Sequence, residues 1–112
     1  MSILNEVDEA LAPNIAKTGY LFKVYSEHFN GKVNIKLWLQ VVFTVAESGE
    51  NQVMLTGHSV ASNATRPVRR HLWGAMTKLL KRRLKGYKVV PTKYDGRHPS
   101  NAQALRIVVT KA

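Results

Sequence analysis

Four histidines, seven carboxylates and no cysteine are all that this chain offers for acid–base, nucleophilic or metal chemistry. His28, His58, His71 and His98 share no zinc-ligand spacing, and no thiolate is available to replace them. Glu6, Asp8 and Glu9 stand near the N-terminus, Glu47 and Glu50 flank a turn, and Glu27 and Asp95 are isolated. A two-metal centre needs several carboxylates that converge. The glycines are scattered among turns and form no phosphate-binding loop. His58 and His71, on either side of one loop, are the only pair worth considering as acid and base. These residues predict no enzyme activity, no cofactor and no bound metal.

Cations are the abundant reactive groups, and they are unevenly placed. Residues 1–64 carry four lysines and no arginine against six acids, a balance of −2; residues 65–112 carry thirteen lysines or arginines against Asp95 alone, a balance of +12. Packing does not require such a concentration, since like charges repel in a compact state. A polyanion is the usual partner, and nucleic acid is the commonest polyanion. A solubilising surface and an anionic membrane surface are the weaker readings.

Residues 66–85 carry much of this charge, and on a helical wheel they separate into two faces. Val68, Leu72, Ala75, Met76 and Leu79 form an apolar stripe, widened by Trp73, Leu80 and Leu84. Arg66, Arg70, Lys78, Lys81 and Lys85 fall within an arc of about 120° on the other side, along roughly 30 Å of helix. Arg69 and Arg82 flank this ridge, and Arg97 stands in a later loop. Solvated helix faces usually mix signs, with Glu four residues before Lys; this segment has no acid. The ridge is suited to a row of phosphates.

A second candidate surface comes from alternation. Lys23, Tyr25, Lys36 and Trp38 fall on the polar sides of two strands. Aromatic rings flanked by lysines can stack bases while the ammonium groups meet phosphates. Burial beneath the basic helix and a homodimer interface are the competing uses of Trp38.

The elements that must position these residues follow from periodicity. Residues 3–11 read as a short helix in a weakly ordered acidic segment, 1–18, whose Glu6–Glu9 run could fold over the basic helix and mask it. Residues 20–27 alternate as a strand, and Asn30-Gly31 marks a hairpin turn. Val33, Ile35, Leu37, Leu39, Val41, Phe43 and Val45 give seven consecutive period-two positions, predicting a long strand with one buried face. Residues 47–51 are a second turn and 53–60 a third strand, in which Gly57 offers no side chain. Thr65 is the expected N-cap and Gly86 the expected stop of the helix over 66–85. Gly74, inside that helix, suggests a close helix–sheet contact. Residues 87–93 and 104–110 are two further strands, with Pro91 placing the first at an edge. Residues 95–101 read as a loop.

The fold expected from this order is a single α+β domain over 1–112. It consists of an antiparallel three-stranded meander, then a long basic helix packed on the sheet, with two further C-terminal strands. Over residues 3–85 the order resembles double-stranded-RNA-binding domains in topology, with Arg66, Arg69 and Arg70 where those domains carry a lysine cluster. It lacks their small-residue helix pattern. The strand-strand-strand-helix order also resembles single-strand-annealing proteins.

The expected function is nucleic-acid binding, with single-stranded DNA or RNA slightly preferred over duplex. The candidate contacts are Lys23, Tyr25, Lys36, Trp38, Arg66, Arg69, Arg70, Lys78, Lys81, Arg82, Lys85 and Arg97. The alternative is a small interaction or inhibitor module that docks on an acidic protein surface through Trp73, Leu80 and Leu84. A cytoplasmic location and no membrane partner are expected. There are no disulfides, residues 1–6 lack the features of a signal peptide, and the apolar stretches are far shorter than a span.

Overall fold

The computed structural model describes residues 2–64, 66–92 and 104–112, with the side chains of His28, Asn30, Ala104 and residues 66–70 excepted. Its elements in chain order are α1 (Ile3–Leu11), a 3-10 turn (Ala12–Asn14), β1 (Ile15–Ala16), β2 (Gly19–Asn30) and β3 (Val33–Gly49). They continue with β4 (Gln52–Ser62), α2 (Arg66–Arg83), β5 (Tyr87–Pro91) and β6 (Ala104–Lys111). All strand pairs are antiparallel, in one six-stranded sheet ordered β1-β2-β3-β4-β6-β5.

This corrects the expected architecture. A three-stranded meander carrying a long helix, with two strands appended, is replaced by a molecule that is mostly sheet, with two short helices. The edge of β4 that a three-stranded meander would leave open is hydrogen-bonded to β6, and β5 lies outside β6. The physical reason is continuity of the apolar face. Val53 pairs with Val109 and Leu55 with Ile107, so four fully buried side chains extend the core surface across that edge. The six-stranded sheet also departs from the topology of the double-stranded-RNA-binding domains.

Both helices cover one face of this sheet. α1 begins at Ser2, whose hydroxyl accepts the Asn5 N–H at 3.3 Å. It buries Ile3, Val7 and Leu11, one residue per turn. In α2 and just beyond it, Leu72, Met76, Leu80 and Leu84 are fully buried. The core stripe is therefore centred on Leu80 and Leu84, expected only at its border, while Ala75 and Leu79 are half-buried at its flank. The helix stops at Arg83, two residues before the expected end. Gly86 then adopts φ +91°, a conformation that favours glycine, as the chain turns into β5. Gly74 does not touch the sheet: it is exposed, and a Cβ added there would meet nothing within 4 Å.

The long strand is buried over only part of its length. Leu39, Val41 and Phe43 have no accessible surface, whereas Val33 and Ile35 are 58 % and 42 % exposed. The cause is that β4 ends at Ser62 opposite Leu39. Beyond that point β2 and β3 continue as a two-stranded arm, closed by the pair Asn30–Val33 around a Gly31-Lys32 loop. Gly31, with φ +62°, takes the first loop position, one residue later than the expected Asn30-Gly31 turn. Phe29 is also exposed on this arm.

Two polar contacts tie α1 to opposite sides of the sheet. The Tyr20 hydroxyl of β2 donates to Asp8 at 2.8 Å. Lys111 of β6 lies 3.2 Å from the Glu6 carboxylate. The hydrogen bonds from Lys111 and Tyr87 outweigh partial desolvation and hold the Glu6 carboxyl below its usual value, while burial, then Glu6, raises the Tyr87 phenol. Burial, then the bond to Asp8, raises the Tyr20 phenol. Glu6 and Asp8 of the acidic run are thus each bonded to a strand of the sheet.

Two predictions follow from this packing. Gly57 faces Phe43 in register, and a Cβ there would collide with the Phe43 ring and stand 2.8 Å from Val41 Cγ1. Phe43 is itself held edge-on against Phe22 at 5.9 Å. Gly57→Ala should therefore lower stability by about 1–3 kcal/mol in urea unfolding, the usual effect of overpacking; an unchanged midpoint would mean that the ring has somewhere else to go. Glu6 should also contribute acid sensitivity. Its depressed pKa stabilises the fold above the ordinary carboxyl value of 4.5, and that contribution is lost as pH falls through the folded value. Glu6→Gln should thus be less stable than the parent near neutrality, and the gap should close as the solution is acidified. A pH-independent difference in melting temperature would contradict this.

Candidate functional site

The alternation that buries Phe22, Val24, Leu39 and Val41 sends their neighbours to the other side of the sheet, which neither helix covers. There, register places Tyr25 directly opposite Trp38, Lys23 opposite Gln40, and Glu27 opposite Lys36. The Lys23 ammonium lies 4.8 Å from the Trp38 ring and 5.2 Å from that of Tyr25, and the Lys36 ammonium lies 4.2 Å from Tyr25. All three distances are within cation–π range. Lys23, Tyr25, Lys36 and Trp38, chosen from sequence, therefore come together in one patch. Tyr25 is 49 % exposed and Trp38 half-buried.

A bulge and an asparagine fix this patch. The pairs Gln40–Ala61 and Val41–Ser59 leave Val60 as the extra residue, which explains why it breaks the alternation of β4. Beyond the bulge, Asn63 acts as a missing strand. Its side-chain oxygen accepts the Trp38 N–H at 2.8 Å, and its amide nitrogen donates to the Lys36 carbonyl at 3.0 Å. The Ser62 hydroxyl donates to the Trp38 carbonyl at 2.9 Å and accepts the Ala64 N–H at 3.0 Å. Sequence reading placed Ser62 and Asn63 in a loop and gave them no role. A polar Ser-Asn pair at a strand end was the only signal.

The helix contributes a second surface, on the opposite side of the molecule. Lys78, Lys81, Arg82 and Lys85 are exposed there. Arg66, Arg69 and Arg70 belong to α2 by backbone, but their side chains lie outside the described residues, as do Arg97, the expected loop over 95–101 and the expected N-cap Thr65. Arg83, which sequence assigns to no surface, donates to the Asn14 side-chain oxygen at 2.7 Å and lies 5.6 Å from the Phe22 ring. Among the described residues, Lys78, Lys81, Arg82 and Lys85 thus stand on the other side of the sheet from Lys23, Tyr25, Lys36 and Trp38. Arg106 and Lys88, on outward positions of β6 and β5, add exposed cations to the open sheet face. Strand alternation could have found both.

Two alternative uses of these residues find no support in their placement. Leu80 and Leu84 are buried in the core and Trp73 packs half-buried against it, so these residues do not form an external helix-borne anchor. His58 is exposed on the open sheet face and His71 on α2, on opposite sides of the sheet, so they do not meet as a pair. Among the described residues, no three His, Asp or Glu side chains gather where they could hold a metal ion. No helix there is long and apolar enough to cross a membrane.

Comparison of the chain with protein-family models, curated proteins and solved structures finds no match. The case for a function therefore rests on the residues themselves.

Asn63 should prove a positioning residue. Asn63→Ala removes both side-chain bonds to β3, each worth about 0.5–1.5 kcal/mol. The Trp38 amide should then exchange with solvent markedly faster, while amides of Val41 and Phe43 keep their protection. Equal exchange at Trp38 in variant and parent would show that the edge is held in another way.

Proposed function

We propose that this chain is a nucleic-acid-binding module without catalytic activity, which takes single-stranded DNA or RNA on its open sheet face. The observation that carries this reading is the patch of two aromatic rings and two lysines at Tyr25, Trp38, Lys23 and Lys36. A base would stack on a ring while the displaced ammonium turns to the adjoining phosphate. The energies favour that exchange. An exposed cation–π contact is worth about 0.5–1 kcal/mol, whereas a stacked base contributes about 1–3 kcal/mol. The displaced lysine then regains a phosphate contact. Arg106 and Lys88 extend the positive field across the sheet, and Glu27 is the single acid among its outward strand positions. Duplex fits this face less well, because its bases are already stacked and only its phosphates are available.

The test is a side-by-side titration against single-stranded DNA, duplex DNA and RNA at two salt concentrations. If about four phosphates are neutralised, log K should fall with log salt at a slope near −2.8 for a single strand. Trp38→Ala should lower single-strand affinity by about 1–3 kcal/mol and change duplex affinity little. Trp38 fluorescence should quench on binding, with Trp73 replaced by Phe to isolate the signal. A folded Trp38→Ala protein that binds single strands like the parent would remove the stacking role, and a change from dimer to monomer would assign the ring to a homodimer interface. Labelled strands should remain intact through these titrations with Mg²⁺, Mn²⁺ or Zn²⁺ present.

A further inference from the structure

We propose that one molecule holds two nucleic-acid segments at once, a single strand on the open sheet face and a second segment on the outer face of α2, and so bridges them. This rests on the nucleic-acid reading above and extends it to the other side of the molecule. The described cations of the two faces are separated by the sheet and by a packed helix about 10–12 Å across. Charges that far apart are screened from each other by physiological salt, whose Debye length is about 8 Å. The faces therefore attract polyanions independently.

The outer face of α2 is built for a close backbone. His71, Gly74, Lys78, Lys81 and Lys85 follow each other at spacings of three and four along one side of the helix, and all are exposed. Gly74 stands within this row. Glycine is among the poorest helix formers, and this one relieves no internal crowding, because a Cβ there would meet nothing within 4 Å. What it does provide is an unobstructed length of helix backbone between the cations, which lets a phosphate chain approach closely. Two of the three acids of α1 are engaged elsewhere, Asp8 with Tyr20 and Glu6 with Lys111. No exposed aromatic ring accompanies the row among the described residues. The helix face thus reads phosphates alone, and it accepts single or double strands.

The experiment immobilises a thymidine 20-mer and asks whether the full chain captures a second, labelled thymidine 20-mer, which cannot pair with the first. Capture is expected. The double reversal Lys81→Glu with Arg82→Glu should lower capture roughly tenfold or more, through lost phosphate contacts, while direct binding to the immobilised strand stays within about threefold. Gly74→Gln should raise the melting temperature and yet reduce capture, opposite signs that a purely structural glycine would not give. Direct binding without capture overturns the bridging proposal alone. Capture that survives both the charge reversal and Gly74→Gln also overturns it, and places bridging in a dimer that uses only the sheet face. Absence of any binding to the immobilised strand defeats the underlying nucleic-acid reading instead.

Discussion

Leu39, Val41 and Phe43 lie at the centre of the sheet without accessible surface, and the pleat of β3 makes their burial consequential. Successive side chains of a strand point to opposite faces, so a one-residue slip would expose all three and bury Trp38, Gln40 and Val42 instead. Phe43 tightens the constraint further, because its ring occupies the space over Gly57 on β4 and meets Phe22 of β2 edge-on. Three strands are locked in register by one side chain. That register places Tyr25 opposite Trp38, and everything argued about the open face follows from it.

Covering only one side of the sheet has an electrostatic consequence. α1 brings Glu6, Asp8 and Glu9, three of the seven acids, and directs the first two into bonds with Lys111 and Tyr20. Their charge is thereby used to secure the first helix, not to offset the lysines and arginines elsewhere. Arg83 behaves in the complementary way, turning inward to Asn14 and the Phe22 ring. Among the described residues, Lys78, Lys81, Arg82 and Lys85 stand on the outer side of α2, and Lys23, Lys36, Lys88 and Arg106 on the open sheet face.

The open face is also where the sheet departs most from regular pairing. β4 stops short of the β2–β3 arm, and a bulge at Val60 followed by the Asn63 side chain replaces the missing ladder. Bulges and side-chain substitutes of this kind re-aim a chain where simple pairing would carry it onward. Here the result is a fixed backbone under Lys36 and Trp38 and a free arm beyond them. The arm keeps Phe29, Val33 and Ile35 in solvent because nothing among the described residues lies above it.

Local periodicity was enough to place β2, β3 and β4, the glycine turn at Gly86, and the outward positions of Lys23, Tyr25, Lys36 and Trp38, because alternation and backbone conformation are decided within a few residues. The same sequence could not say that β6 would pair with β4, since that choice depends on matching Val53 and Leu55 to residues more than fifty positions away. It could not show that Val33 and Ile35 would outrun the core, because burial depends on where the neighbouring strand ends. It put Gly74 against the sheet when a rotation of the buried stripe turned it outward. That the basic helix and the aromatic patch take opposite faces is legible only through the stronger claim of the apolar run Val33 to Val45 on the helix. Each set of residues has a local pattern, but their relative position is fixed only when α2 settles on the face that β3 must bury, and that is a property of the packed whole.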